Sequence, residues 1–207
     1  MKLFNLVFLL TFLFYSNLSI AEGNFECLSL TEKIGKKHSI PHKLLSSISL
    51  VESGIKKENS FISWPWTLNV DGKSKFFKNK SETLEFLNQN FDKKENIDVG
   101  CMQISLKYHG KKFKNFSEIL DPLKNVEYAA LFLKKLYKKH KRWNEAVGRY
   151  HSSNPQKKIR YIKKVNYFWS QIRQKKIHTY SNFSSKDLQK IEFFKKQLSE
   201  KNNLNKG

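Results

Sequence analysis

Cysteine is almost absent from this chain: Cys27 and Cys101 are the only two in 207 residues. No other His/Cys cluster exists, and His109 and His151 cannot build a metal site with Cys101 once that thiol is oxidised, so no metal and no cofactor is expected. No Pro- or Gly-rich stretch divides the chain and no internal repeat is evident, which leaves one compact domain. The βαβ alternation of a nucleotide-binding sheet fold is missing. So is a Gly-x-Ser-x-Gly elbow, and with it the usual frame for serine-hydrolase chemistry. Arginine is scarce, with four residues at 142, 149, 160 and 173. Bidentate recognition of phosphate and guanine favours Arg, so sequence-reading of nucleic acid is weakly supported. Acidic residues are few as well: 18 against 39 basic ones, a net charge of +21. Such a balance implies an anionic partner, namely nucleic acid, a membrane surface or an acidic polymer. Part of it follows from a composition rich in Lys, Asn, Ile and Phe, as an AT-rich genome produces.

One long apolar run is present, Leu3 to Tyr15, behind the positive Lys2 and ahead of the small-residue site Ser19-Ile20-Ala21. Residues 1–21 therefore read as a secretory signal peptide, short for a membrane span and followed by polar Ser16 and Asn17. An uncleaved anchor is the alternative. A chain starting near Glu22 would work outside the cytoplasm, periplasmic or secreted. In that oxidising setting Cys27 and Cys101 read as one disulfide, with two separate buried thiols as the other reading.

The mature chain reads as mostly helical. Cys27, Leu30 and Ile34 mark a first helix over 26–37, and Ile40, Leu44, Ile48 and Val51 one buried face of a second. Pro41 suits its first turn and Gly54 the left-handed position just past its end. Glu52 then falls in the last turn, where unpaired carbonyls disfavour a carboxylate and push its pKa up. Thr67 to Val70, Asp71-Gly72 and Ser74 to Phe77 read as one small hairpin. Further helices are expected from Ser81, briefly to Tyr108, from Asp121-Pro122, over 143–151, and from Gln156 as a long basic helix. The expected layout is a domain over 22–176 and a basic, polar tail over 177–207 with an amphipathic segment from Ser185 to about Ser199.

Three stretches then line up in order: Glu52-Ser53-Gly54, Gly100-Cys101-Met102-Gln103 and Arg149-Tyr150-His151-Ser152. Here the sequence resembles the lytic transglycosylases with a soluble-transglycosylase (SLT) domain, relatives of goose-type lysozyme. Those enzymes carry a Glu-Ser helix end, a Gly-x-Met-Gln turn and an Ala-Tyr-Asn helix. The runs Trp64 to Gly72 and Asp98 to Ile104 resemble one exported bacterial subgroup. The likeness spans about Cys27 to Tyr161. His151 stands where many members have Asn, and the basic tail has no counterpart in the family. The resemblance implies a mainly α, lysozyme-like α+β domain with one small β-hairpin.

It also implies the chemistry. Glycosidases of the retaining and inverting kinds use two carboxylates. The resemblance implies that Glu52 works alone: it would protonate the bond oxygen after MurNAc. It would then take the proton of the sugar's 6-hydroxyl, closing a 1,6-anhydro ring without water. Asp98, Asp71 and Glu58 are the candidates for a second carboxylate. Asp98 is the best of them because it adjoins the Gly100 turn, and its alternative role is a cap on the next short helix. Ser53, Gly100, Met102, Gln103, Tyr150 and His151 are the candidate substrate-binding residues. Gly100 would allow close approach of a sugar. Met102 would line the cleft or fill the core. Gln103 would pair with an N-acetyl amide. Tyr150 would hydrogen-bond Glu52 or be a buried ring with a satisfied hydroxyl. The expected partner is peptidoglycan glycan strands, for wall turnover or to open a path for a secretion apparatus, with no nucleic acid and a monomeric state. A muramidase hydrolysing the same bond and a non-catalytic cationic wall-binding protein are the rivals, with nucleic-acid binding, which would weaken steeply with salt, as a third class.

Overall fold

The computed structural model describes residues 27–57, 60–93 and 96–179. The expected signal peptide, residues 1–21, and the amphipathic segment from Ser185 lie outside them. Helix α1 (Cys27–Lys37) buries Cys27, Thr31, Ile34 and Gly35 along one face. It ends where Ser39 turns left-handed (φ 51) and the Ile40 N–H reaches back to the Gly35 carbonyl at 2.9 Å. That is a Schellman-type stop. Helix α2 (Leu44–Ser53) follows, entered through left-handed Lys43.

The sequence showed α2 as amphipathic, yet it is enclosed on nearly every side. Leu44, Leu45, Ile48 and Leu50 are buried, and so are Ser46, Ser47, Ser49 and Ser53. Serine is small enough for close helix packing, and each hydroxyl finds an acceptor or partner. Ser47 donates to the Lys43 carbonyl at 2.7 Å, Ser46 meets Thr31 at 2.9 Å, and Ser63 bridges Ser49 at 2.5 Å and Ser53 at 2.6 Å. Hydroxyls paired this way remove the penalty of burying polar groups.

Gly54 is not the left-handed cap expected. Its backbone is extended (φ −69, ψ 130) and opens strand β1 (Gly54–Lys57). Glycine is needed there for space: a Cβ would lie 2.1 Å from the Leu50 carbonyl oxygen. Strand β1 pairs antiparallel with β2 (Ser60–Ser63), a hairpin the sequence reading missed. The expected hairpin is present as β3 (Thr67–Val70) and β4 (Lys73–Phe76), turning on Asp71 and Gly72, both at positive φ (50 and 84). It is two strands of a larger sheet. Strand β5 (Ile97–Val99) pairs with β3 and with the short β6 (Ile104–Ser105), giving the order β4-β3-β5-β6. Short strands hidden in the run Asp98 to Ile104 carry too few residues to show an alternating pattern.

Helix α3 (Lys80–Asn90) is capped by Asn79, whose side chain accepts from the Glu82 N–H, so the helix begins one residue before the expected Ser81. Helices α4 (Leu106–His109) and α5 (Phe116–Ile119) are single turns. Helix α6 (Pro122–His140) starts as expected, on the Asp121 cap and Pro122. Helix α7 (Trp143–His151) and helix α8 (Pro155–Thr179) complete the described chain. Helix α8 passes residue 176 without a break. It runs antiparallel to α2, with Tyr161 beside Glu52 and the Trp169 indole donating to the His42 carbonyl at 2.8 Å. The fold is mostly helical with small sheets, a lysozyme-like α+β arrangement built around α2. A disulfide joins Cys27 to Cys101 (Cα–Cα 5.7 Å), both fully buried. Closing a loop of that length stabilises by about 4 kcal/mol in the chain-entropy view.

Candidate active site

The turn from Gly100 to Gln103 is gripped from four directions. The disulfide holds Cys101 to α1. Ser49 and Ser53 of α2 both donate to the Cys101 carbonyl, at 3.0 and 2.8 Å. Fully buried Asn125 of α6 accepts from the Met102 N–H at 2.9 Å and donates to the Val99 and Ile119 carbonyls at 2.9 and 3.0 Å. Tyr150 of α7 donates to the Met102 carbonyl at 2.8 Å. One short turn thus ties α1, α2, α6 and α7 to a common point beside the end of α2, where Glu52 stands.

These contacts reassign several of the expected site residues. Gly100 has φ +80, and a Cβ there would meet the Asn125 amide nitrogen at 2.8 Å. The close approach is protein on protein. Met102 is fully buried, so its side chain fills the core and its carbonyl serves Tyr150. Ser53 is buried and bound to the Cys101 carbonyl. Gln103, itself at positive φ (46), donates its amide to the Gly100 and Thr67 carbonyls at 3.0 and 3.1 Å. The motif residues Ser53, Gly100, Met102 and Gln103 hold the turn in shape.

Glu52 is half-buried at the end of α2. Burial pushes its pKa up to about 8, and the Asp98 charge adds to the rise. The Tyr161 hydrogen bond and the Lys164 charge oppose it. Desolvation is the main cause, ahead of the helix-end field from which the sequence argument started.

The hydroxyl on Glu52 belongs to Tyr161, not to Tyr150: Tyr161 donates to Glu52 Oε1 at 2.5 Å. Sequence reasoning missed this residue, which sits with Ile162 and Val165 in the apolar stripe of α8. The available signal was a phenol on a core-facing stripe, whose hydroxyl needs a partner. Both tyrosines stay protonated: burial first, and then the Glu52 charge, pushes each pKa well above its ordinary value.

Asp98 lies in β5, paired opposite Asn69 on one side and Ser105 on the other. It does not cap α4; that position belongs to Ser105. Burial raises its pKa, and a hydrogen bond with the Ser105 side chain opposes the rise. His151 is exposed and its ring lies flat on Tyr161, with centroids 4.5 Å apart and planes 3° apart. The fold therefore gathers Glu52, Asp98, Tyr150, Tyr161 and His151 into one site. Chemically it offers a carboxylic acid that keeps its proton at neutral pH, a phenol that supports the anion once that proton leaves, and a second carboxyl nearby. Among the described residues no group of three or more His, Cys, Asp or Glu side chains could hold a metal ion.

The family model described as the transglycosylase SLT domain matches residues 29–168, a span that contains every group of this site. No curated protein and no solved structure matches the chain.

Proposed function

From a chain that belongs to the transglycosylase SLT domain family, whose substrate is peptidoglycan, we propose an exported lytic transglycosylase that uses Glu52 first as acid and then as base. It cleaves the MurNAc-β-1,4-GlcNAc bond. The carrying observation is the Glu52 carboxyl itself, half-buried, hydrogen-bonded by Tyr161 and shifted to a pKa of about 8. At pH 7 a group with that pKa is about ten parts protonated to one ionised, the state a general acid needs.

In this reading Glu52 gives its proton to the glycosidic oxygen as the C1–O bond breaks, leaving positive charge on the MurNAc ring. The new carboxylate is stabilised by the Tyr161 hydroxyl at 2.5 Å and by the charge of Lys164. The carboxylate then removes the proton of the 6-hydroxyl as that oxygen bonds to C1. The acid is regenerated, a 1,6-anhydro ring closes and no water is consumed.

Residues 1–21 serve as the export signal, residues 22–176 as the catalytic domain and residues 177–207 as a basic tail. Among the described residues no helix is long and apolar enough to cross a membrane.

A hydrolytic muramidase is the second reading, and the observation that favours it is Asp98, whose charge is felt by Glu52. As a carboxylate, Asp98 could activate water. Burial works against that role by favouring its protonated form. The deciding experiment is mass spectrometry of purified peptidoglycan digested by the exported form, with Glu52→Gln in parallel. 1,6-Anhydromuropeptides from the wild type and none from the variant are expected. Reducing ends would replace the transglycosylase with a muramidase, and no product from a folded wild type would leave a wall-binding protein.

A further inference from the structure

Lys157, Tyr161 and Lys164 follow one another along α8 at helical spacings of four and three, so all three project from one face. The two lysine positions are about 10 Å apart along the axis. Tyr161, between them, holds Glu52 through its hydroxyl and carries the His151 ring flat against its own. Both lysines are exposed, and among the described residues neither forms an ion pair. Their neighbour Lys158 behaves differently: its ammonium is held by both Glu145 oxygens, at 2.8 and 2.9 Å.

The charges of Lys157 and Lys164 converge on the site. Burial first, and then these two charges, keeps His151 below its ordinary pKa, and the Lys164 charge also acts on Glu52. A cation beside an acid that must keep its proton works against the acid. Two such cations, without carboxylate partners among the described residues, therefore fit a role toward the substrate. The sugars of peptidoglycan carry neutral N-acetyl groups, and its carboxylates sit on the peptides attached to MurNAc.

Building on the transglycosylase reading, we propose that Lys157 and Lys164 form a bracket for the carboxylates of the peptide stems. It makes the protein selective for peptide-bearing strands over peptide-free glycan. Stem carboxylates would draw the MurNAc residue onto the Tyr161–His151 rings and so bring its C1 to Glu52. Once engaged, the carboxylates also offset the lysine charges that oppose protonation of Glu52.

The test is binding, measured with the exported, disulfide-bonded protein carrying Glu52→Gln so that no strand is cut. Soluble glycan strands bearing stems are compared with the same strands stripped by an amidase and then treated to convert the lactyl carboxylate that stripping exposes on each MurNAc into a neutral amide. The Glu52→Gln protein is expected to bind stem-bearing strands at least about fivefold more tightly, the scale of one exposed ion pair or more. Adding Lys157→Met and Lys164→Met should bring that ratio close to one. A control pair, Lys138→Met with Lys139→Met at the end of α6, removes the same charge and should keep the ratio. Equal binding of both strands by Glu52→Gln, a ratio untouched by the α8 substitutions, or an equal fall in the control would overturn the proposal. The digestion experiment decides the enzymatic reading separately, because this ratio needs no turnover.

Discussion

Tyr161 donates its hydroxyl to Glu52 Oε1 at 2.5 Å from a helix that lies 109 residues further along the chain. The bond favours the ionised acid, while burial favours the protonated one and prevails. The phenol therefore matters most after the proton has left, when it steadies a carboxylate that water reaches poorly. A hydrogen bond to a charged group is worth about 1.5–3 kcal/mol. Tyr161→Phe is expected to lower kcat by roughly tenfold to a hundredfold, with the His151 stack retained. Rates of anhydro-end formation check this, and an unchanged kcat would remove Tyr161 from the mechanism.

The second prediction concerns pH. The groups that act on Glu52 are Tyr161, through its hydrogen bond, and Lys164, through its charge, on α8, and the Asp98 charge on β5, with Tyr150 on α7 also coupled to it. Glu52 must be protonated to act, so activity is expected to fall as pH rises through about 8. Lys164 lowers the Glu52 pKa, so Lys164→Met should move this descending limb to higher pH. Asp98 raises it, so Asp98→Asn should move the limb down. A pH–rate profile on one defined muropeptide shows both displacements. Limbs that fail to move in opposite directions would mean that another group controls the profile.

Much of this site was legible because its motifs are local. The Glu52 helix end, the Asp121-Pro122 start of α6 and the Asp71-Gly72 turn each follow from a few adjacent residues with a backbone requirement. What the sequence hid is non-local or depends on packing. Tyr161 reaches Glu52 only because α8 runs antiparallel to α2. Asn125 governs the Gly100 turn from a helix whose sequence did not mark that residue as buried. The sequence argument read Gly54 as a left-handed cap and Gly100 as room for a sugar, whereas the atoms that crowd them are the Leu50 carbonyl and the Asn125 amide, which no single-sequence pattern reveals.

A third prediction follows from the raised pKa of Glu52 as a matter of stability. The unfolded chain ionises Glu52 near its ordinary value of 4.5, whereas the folded chain holds the proton up to about 8. Between those values the folded state binds more protons, so stability falls as pH rises. Below the lower value both states are protonated and the residue adds no pH dependence. Glu52→Gln should therefore raise the melting temperature relative to wild type progressively from pH 5 to pH 8, with no such trend below pH 4. Thermal unfolding across that range measures it, and a constant difference would show that the carboxyl is not protonated in the fold.

The last prediction separates the support of the acid from the acid itself. A Cβ on Gly54 would fall 2.1 Å from the Leu50 carbonyl oxygen, which belongs to the final turn of α2. Backbone cannot yield at that distance as a flexible side chain can. The turn must open, and it carries both Glu52 and Ser53, whose hydroxyl fixes the helix end to the Cys101 carbonyl at 2.8 Å. The Gly54 φ of −69 is open to alanine, so the clash, not conformational preference, sets the effect. Gly54→Ala is expected to destabilise by about 1–3 kcal/mol, the scale of a small-to-large change in a packed site. The activity loss should be larger, about a hundredfold, because a misplacement of 1 Å can cost that much in rate. Chemical denaturation and digestion rates measured on the same sample provide the comparison. If activity falls only in proportion to the folded fraction, the tight packing behind Gly54 serves stability alone and does not aim Glu52.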